Sequence, residues 1–296
     1  MRHVWKTAAA LALSCASAFA DDDVALTQLT SKDRLLVVSP HPDDESLCCA
    51  GIMQHALRAG ASVAVVWVTS GDGFEVDAMV VERRLRTRGT GLQSLARMRM
   101  AEARAAMSVL GVPAQRQYFL GYPDRGVVRL LLDHESTPYR SRYTGASAVP
   151  YPDAVSPGAP YTGQSLMNDF AAVLDREQPT LVLAASAEDT HPDHRGSGEL
   201  VVRAMTARKQ EGRLRYWIVH GGEHWPKPLG LQPTLEQTPP PRGAGMPWFA
   251  VPLAAGDVAV KESAILQYHS QFKVMARKLQ AYVRRTELFS RLPAAE

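Results

Sequence analysis

One stretch constrains the fold more than any other: RLLVVSPHPDDESLCCAGIMQHALRAGASVAVVWVTSGDG, residues 34–73. An apolar run stops at Ser39-Pro40. A helix-spaced segment closes on Gly60, and a second apolar run ends in a glycine turn. A short apolar run ended by proline reads as a strand buried on both faces, as in parallel sheets. Gly60 is a natural helix stop. Strand, helix and strand within forty residues make a βαβ unit.

The pattern repeats along the chain. Spacing predicts helices over 95–112 and 166–179, and strands over 116–122, 180–186 and 213–222. Residues 256–292 read as one long helix or two in succession. Two stretches break the rhythm: 123–163, rich in Pro, Gly, Tyr and Ser, and 223–255, with many prolines and two tryptophans. Insertions of this length serve as lids and binding loops, or as solvated excursions. With no internal repeat and no clear linker, the prediction is one α/β domain with a mostly parallel sheet.

Composition narrows the functional classes. Residues 1–20 have a basic start (Arg2, Lys6), an apolar stretch and an A-x-A site at Ala18 and Ala20, which predicts a cleaved secretory signal. Export to the periplasm or beyond follows. The apolar stretch is too short to span a membrane, and no other segment is long enough. The remainder carries 31 basic and 30 acidic side chains, so there is no basic field for nucleic acid. Cys48 and Cys49, adjacent, are predicted to pack as small apolar groups rather than bridge each other.

The first strand is followed at once by His41, Asp43, Asp44 and Glu45; the strand at 180–186 is followed by AEDTHPDHRGSGE, residues 187–199. Both clusters contain HPD, and open α/β sheets hold ligands at the carboxyl ends of strands. Imidazole and carboxylate together suit a borderline divalent cation, and a catalytic site takes three protein ligands. One cluster offers His41 with Asp43 or Asp44; the other offers His191 or His194. His41 and Asp44, three apart, can face one side of a turn, which frees Asp43 to act as a base. Helix capping accounts for acids before a helix, but it does not call for histidine twice.

SPHPDDE at 39–45, with HPDH at 191–194, resembles the PIG-L/LmbE family of zinc-dependent N-deacetylases. VTSGDG (68–73), RMAEARAAMSVLGV (99–112), LGYPDRG (120–126) and KESAILQYHSQ (261–271) are similar to further segments of that family. The resemblance implies a single domain over 21–296, with a Rossmann-like, mostly parallel sheet flanked by helices and long insertions near the active-site edge. It implies zinc, with iron(II) as another fitting ion, on His41, Asp44 and His194. Asp43 matches the general base, and His191 the group that stabilises the oxyanion or protonates the leaving amine. Asp193 would hold His191, while Arg99 and Asp124 match substrate contacts. The implied activity is removal of acetyl from an N-acetylated amino sugar or glycoconjugate, so the implied partner is a small molecule or glycan. Rival readings are an amidase or esterase on a non-sugar acyl substrate, or a carbohydrate-binding protein with a vestigial metal site. His220, His224 and His269 are further candidates for the pocket, and Trp225, Trp248 and Tyr139, Tyr143, Tyr151 and Tyr161 for sugar stacking.

Overall fold

A computed structural model describes residues 24–73 and 89–291; the signal-like segment 1–20 lies outside them. After a short helix, α1 (Val24–Thr27), come β1 (Arg34–Ser39), α2 (Asp44–Arg58) and β2 (Ser62–Thr69). Then follow α3 (Thr90–Leu110), β3 (Gln117–Tyr122), α4 (Val127–Leu132), α5 (Gly163–Glu177) and β4 (Leu181–Ala185). The chain closes with α6 (Pro192–Ala207), β5 (Leu214–Trp217), β6 (Trp248–Pro252), α7 (Ala255–Ile265), α8 (His269–Gln280) and β7 (Thr286–Ser290). The sheet runs β3-β2-β1-β4-β5-β7-β6.

The first five strands in that order are parallel; β7 joins antiparallel to β5, and β6 antiparallel to β7. From β1 the chain moves outward through β2 to β3, then returns to place β4 on the other side of β1. The strand order therefore reverses between β1 and β4, and a doubly wound sheet opens its ligand crevice at that point. The register Leu35↔Leu181, Leu36↔Val182 and Val37↔Leu183 ends both strands at the same level. The two HPD loops emerge side by side there.

The parallel strands are buried along nearly their whole length, as their apolar runs predict. The end of the chain differs from the sequence reading. Two helices form over 255–280, but 286–290 is a strand. Its Glu287 is buried and accepts Nζ of equally buried Lys261 at 2.7 Å, with the N–H groups of Gly51 and Ile52 at 2.8 and 2.9 Å. A charge that reads as a solvent-facing helix position is in fact paired inside.

Residues 123–163 are not a loose lid. They form α4 and pack Val149, Tyr151 and Tyr161 into the main core. Cys48 and Cys49 are buried as predicted, but the structure joins them as a disulfide, where packed thiols were expected.

Candidate active site

Asp43 begins the site. Its φ of +135° is a strained conformation for a residue with a side chain. It stands at the N-cap position of α2, yet its side chain makes no capping bond, so capping does not explain it. The surroundings fix this kink. Asp43 N donates to Glu45 Oε2 at 3.2 Å, and Asp43 O accepts Ser46 N and Leu47 N. The carbonyl of the preceding Pro42 accepts both Arg99 Nη2 at 3.0 Å and Gln271 Nε2 at 2.9 Å. Arg99 also donates to Gly71 O at 2.9 Å; a Cβ on Gly71 would lie 2.1 Å from the guanidinium, so only glycine admits this clamp.

Glu45, fully buried, is a hub rather than a cap. It accepts Trp67 Nε1 at 2.8 Å, Ser46 Oγ at 2.8 Å, Ser39 Oγ at 3.1 Å and the hydroxyl of Tyr268. Burial raises its pKa, against the pull of those donors. Ser270 ties α8 to α3 by donating from N and Oγ to Glu102 at 2.8 and 2.6 Å. The segments 99–112 and 261–271 thus meet beneath the Asp43 loop.

His41, Asp44 and His194 converge. Asp44 Oδ2 lies 3.1 Å from His41 Nδ1 and 3.0 Å from His194 Nε2. The His41 contact has hydrogen-bond geometry, whereas the His194 contact is an ion-pair distance only, and His194 Nε2 is a buried nitrogen with no hydrogen-bond partner. Its other nitrogen, Nδ1, meets Asp189 Oδ2 at 3.0 Å. An imidazole held at Nδ1 by one carboxylate, with a buried Nε2 turned toward a second predicted ligand, is the arrangement of a metal ligand. Helix α6 carries His194 close to β4 because Gly198 lets its backbone approach; a Cβ there would meet Ala185 O at 2.4 Å.

The electrostatics agree with cation binding. Burial opposes charge on His194, but Asp189 and Asp44 outweigh it and bring the imidazole up to about 9. Burial likewise opposes charge on Asp44, but His194 and His41 hold it well below the usual carboxylate range. A field that pulls so strongly on a proton pulls on any cation. Among the described residues, three overlapping donor groups each have their ligand atoms within 4.8 Å of one another: His41, His191 and His194; His41, Asp124, His191 and Asp193; and Asp44, His194 and His220. No one of these groups contains the predicted trio: His41 and His194 share the first, Asp44 and His194 share the third, and His194 links the two. Two imidazoles and a carboxylate, one nitrogen orphaned, fit a divalent cation.

One predicted contact changes, and one predicted role narrows. Asp193 does not hold His191 with its carboxylate. It lies 3.2 Å from His41 Nε2 and accepts the N–H of Arg125 at 2.5 Å and of Val127 at 3.3 Å. Residues two apart at a helix start do not face each other. It is Asp193 N that donates to His191 Nδ1, at 3.2 Å. Burial, with the charges of His41 and His194, pushes the His191 imidazole far below its ordinary range, which favours oxyanion stabilisation, one of the two roles the resemblance implies. With Nδ1 accepting, the neutral ring carries its proton on Nε2 and donates from there.

A cavity of about 220 Å³ opens over these groups, lined by His41, Asp43, Asp44, Arg99, Asp124 and His191 among others. Its far wall comes from Leu47, Val219, Met275, Leu279 and Tyr282. Arg99 is buried beneath it, 3.8 Å from Asp43 Oδ2, and works chiefly as a clamp on backbone carbonyls. Asp124 Oδ2 accepts Gly73 N at 3.1 Å, and its Oδ1 lies 3.8 Å from His41 Nε2.

His220 lines the cavity, pushed down to about 3 by burial and by the charge of His194. His224 is exposed beside Glu223, and His269 is exposed; neither lines the cavity. Tyr143, Tyr151, Tyr161 and Trp225 are buried in local packing, and Tyr139 and Trp248 are half-buried outside the cavity lining. Sequence reasoning did not give Asp189 its role. The signal was there: a carboxylate five residues before His194 and two before His191.

Comparison with known proteins follows the same lines. Residues 36–205, more than half of the chain, match the family PIG-L, described as GlcNAc-PI de-N-acetylase. Among curated proteins, the chain is 29% identical over 219 residues to the 1D-myo-inositol 2-acetamido-2-deoxy-alpha-D-glucopyranoside deacetylase of Mycobacterium sp. (strain KMS), covering 72% of this chain and 62% of that protein. The match thus spans less than two thirds of that relative's length. Among solved structures, N,N'-diacetylchitobiose deacetylase from Pyrococcus horikoshii superposes with a TM-score of 0.54 at 19% identity, over 93% of this chain and 92% of that one. The zinc-inhibited form of teicoplanin deacetylase Orf2 gives 0.51 at 20%, over 81% and 85%. At such identities the structural likeness shows the fold alone.

Proposed function

The chain belongs to the PIG-L family, and from that premise we propose that it is a metal-dependent hydrolase that removes acetyl from an N-acetylated amino sugar or glycoconjugate. The observation that carries this is the pairing of Asp43 with the His41, Asp44 and His194 donors at one cavity mouth. A binding protein has no need of a strained, uncapped carboxylate beside a cation site. The sequence relatives and several of the structures matched by fold are deacetylases of N-acetylated sugars or of teicoplanin, which favours this substrate class over a non-sugar acyl compound.

His41, Asp44 and His194 would hold the ion. We propose zinc, which suits nitrogen and carboxylate donors. The ion, when bound, supplies Lewis-acid polarisation of the amide carbonyl. The chain's own groups do the rest. Asp43 takes a proton from the attacking water at its carboxylate and returns it to the amine nitrogen as the C–N bond breaks. His191 donates a hydrogen bond from Nε2 to the oxygen that becomes negative. Asp193 and Asp189 steady His41 and His194. The apolar wall of Leu47, Met275 and Leu279 keeps water from the far side of the substrate.

Residues 1–20 support export, so the substrate proposed is one met outside the cytoplasm, within a single domain over 21–296. The test is acetate release by metal-reconstituted protein from N-acetyl sugars, short chito-oligosaccharides and glycolipids, against longer N-acyl amides and esters. No acetate from any sugar would overturn the reading; a preference for longer acids would redirect it to an amidase.

A further inference from the structure

We propose that His220 is a fourth protein donor to the ion held by His41, Asp44 and His194. This deepens the metal-dependent reading and rests on it. Asp44, His194 and His220 each offer a ligand atom within 4.8 Å of the others, and among the described residues no such group joins His41 to both Asp44 and His194. The further imidazole that the fold brings to that pair is therefore His220.

The two imidazoles differ in what already holds them. His41 Nδ1 meets Asp44 Oδ2 at 3.1 Å and its Nε2 meets Asp193 Oδ2 at 3.2 Å, so carboxylates face both nitrogens. The His220 ring has no hydrogen bond and no ion pair among the described residues. It stands edge-on to His194, with ring centroids 4.6 Å apart, and 5.2 Å from His191. It also lines the cavity that Asp43 and Asp44 line. A neutral imidazole without partners keeps a lone pair for a cation. Zinc takes imidazole nitrogen at about 2.0–2.1 Å and can expand from four ligands to five, so a fourth protein donor still leaves a place for water.

The main chain fixes where this ring stands. His220 follows β5 by three residues, at the sheet edge that carries the other donors. Its N–H donates to Asp189 Oδ2 at 2.9 Å, and its carbonyl accepts Thr190 N at 3.1 Å and Thr190 Oγ1 at 3.0 Å. The same Asp189 oxygen meets His194 Nδ1 at 3.0 Å, so one carboxylate sets both rings. Beyond His220 the chain turns at two glycines. A Cβ on Gly221 would lie 2.4 Å from Pro240 and 2.7 Å from Trp225, and Gly222 has a φ of +117°. The proline-rich 223–255 insertion thus backs the turn that presents His220.

The test is X-ray absorption of the zinc-loaded protein, made without a histidine tag, because scattering from imidazole rings counts the histidines on the ion. Three imidazoles are expected in the wild type and two in His220→Gln at equal zinc content. Competition with a metal indicator dye should show affinity lowered about tenfold or more in His220→Gln, the scale for losing a group that holds or orients a zinc ligand. His224→Gln, at an exposed neighbour outside the cavity lining, should leave it unchanged. Two imidazoles in the wild type would overturn the proposal, and that measurement needs no variant. A third imidazole that persists in His220→Gln would overturn it as well, since it would belong to another ring such as His191. Both readouts are taken without substrate. Failure of the deacetylase reading shows elsewhere, as absence of acetate release by the zinc-loaded wild type from any N-acetyl sugar.

Discussion

Asp189 Oδ2 sits 3.0 Å from His194 Nδ1, and the same oxygen accepts the N–H of Val219 at 3.0 Å and of His220 at 2.9 Å. One carboxylate thus aims the imidazole and anchors the loop after β5. Burial opposes its charge, but His194 and the surrounding donors hold it down to about 2. Asp189→Asn should keep the fold and weaken metal affinity by roughly 10–100-fold, the usual cost of losing such a partner. Competition with a metal indicator dye reads this; wild-type affinity in the variant would show that His194 is oriented without Asp189.

Asp43→Asn should retain the metal and lower kcat by roughly 10²–10⁴-fold, the range for general-base removal. Burial and the charge of Asp44 lift Asp43 to about 8, with Arg99 and His41 opposing. A cation alongside acts in the same sense as those two. Only the carboxylate accepts a proton, so activity is lost as pH falls through its pKa. The acid limb of the kcat profile should lie at or below about 8. A variant that is slow because it has lost its metal would assign Asp43 a ligand role instead.

Asp72 makes stability depend on pH. Burial and the Asp124 charge raise it to about 7 in the folded protein, against an ordinary value of 3.8. The folded state holds this proton more tightly, so the stabilisation is complete below about pH 4 and is lost as pH rises through about 7. Asp72→Asn can still accept from Asp124 N and meet the Tyr151 hydroxyl, the two contacts Asp72 makes at 3.0 and 2.9 Å. Its melting temperature should therefore fall less than that of the wild type between pH 5 and pH 8. For a chain of this size each 1 kcal/mol corresponds to roughly 2–4 °C. Parallel melting curves would refute the assignment.

Lys261→Met should destabilise the fold by about 3–5 kcal/mol, because it strands Glu287 without its counter-charge. Both side chains are only 1% exposed, so solvent offers little relief. Lys261→Met/Glu287→Gln should recover part of the loss, since Gln can still accept from Gly51 or Ile52 N. Urea unfolding at constant m-value reads both; a single variant as stable as the wild type would place the pair outside the stability balance.

Much of this was legible beforehand, and the reason is physical. Strands β1, β2 and β4 are buried on both faces, so they appear as unbroken apolar runs. The donors appear because each directly follows such a run. What stayed hidden depends on partners far along the chain. Strand β7 carries Glu287, whose burial makes sense only with Lys261 and the start of α2 in view. Glu45 looks like a cap until Trp67 and Tyr268 are placed around it. The resemblance implies that Asp193 holds His191, but residues two apart at a helix start face different ways, and its carboxylate meets His41 instead.

The Pro42 carbonyl, gripped by Arg99 and Gln271, has a consequence for how the molecule comes to life. His41, Asp44 and His194 are all in the first 194 residues, yet the kink that presents Asp43 is fastened from residue 271. A polypeptide cut short between those points would own these three ligands and no settled base. The final helices thus complete, through Gln271, a grip on the Asp43 turn that Arg99 begins.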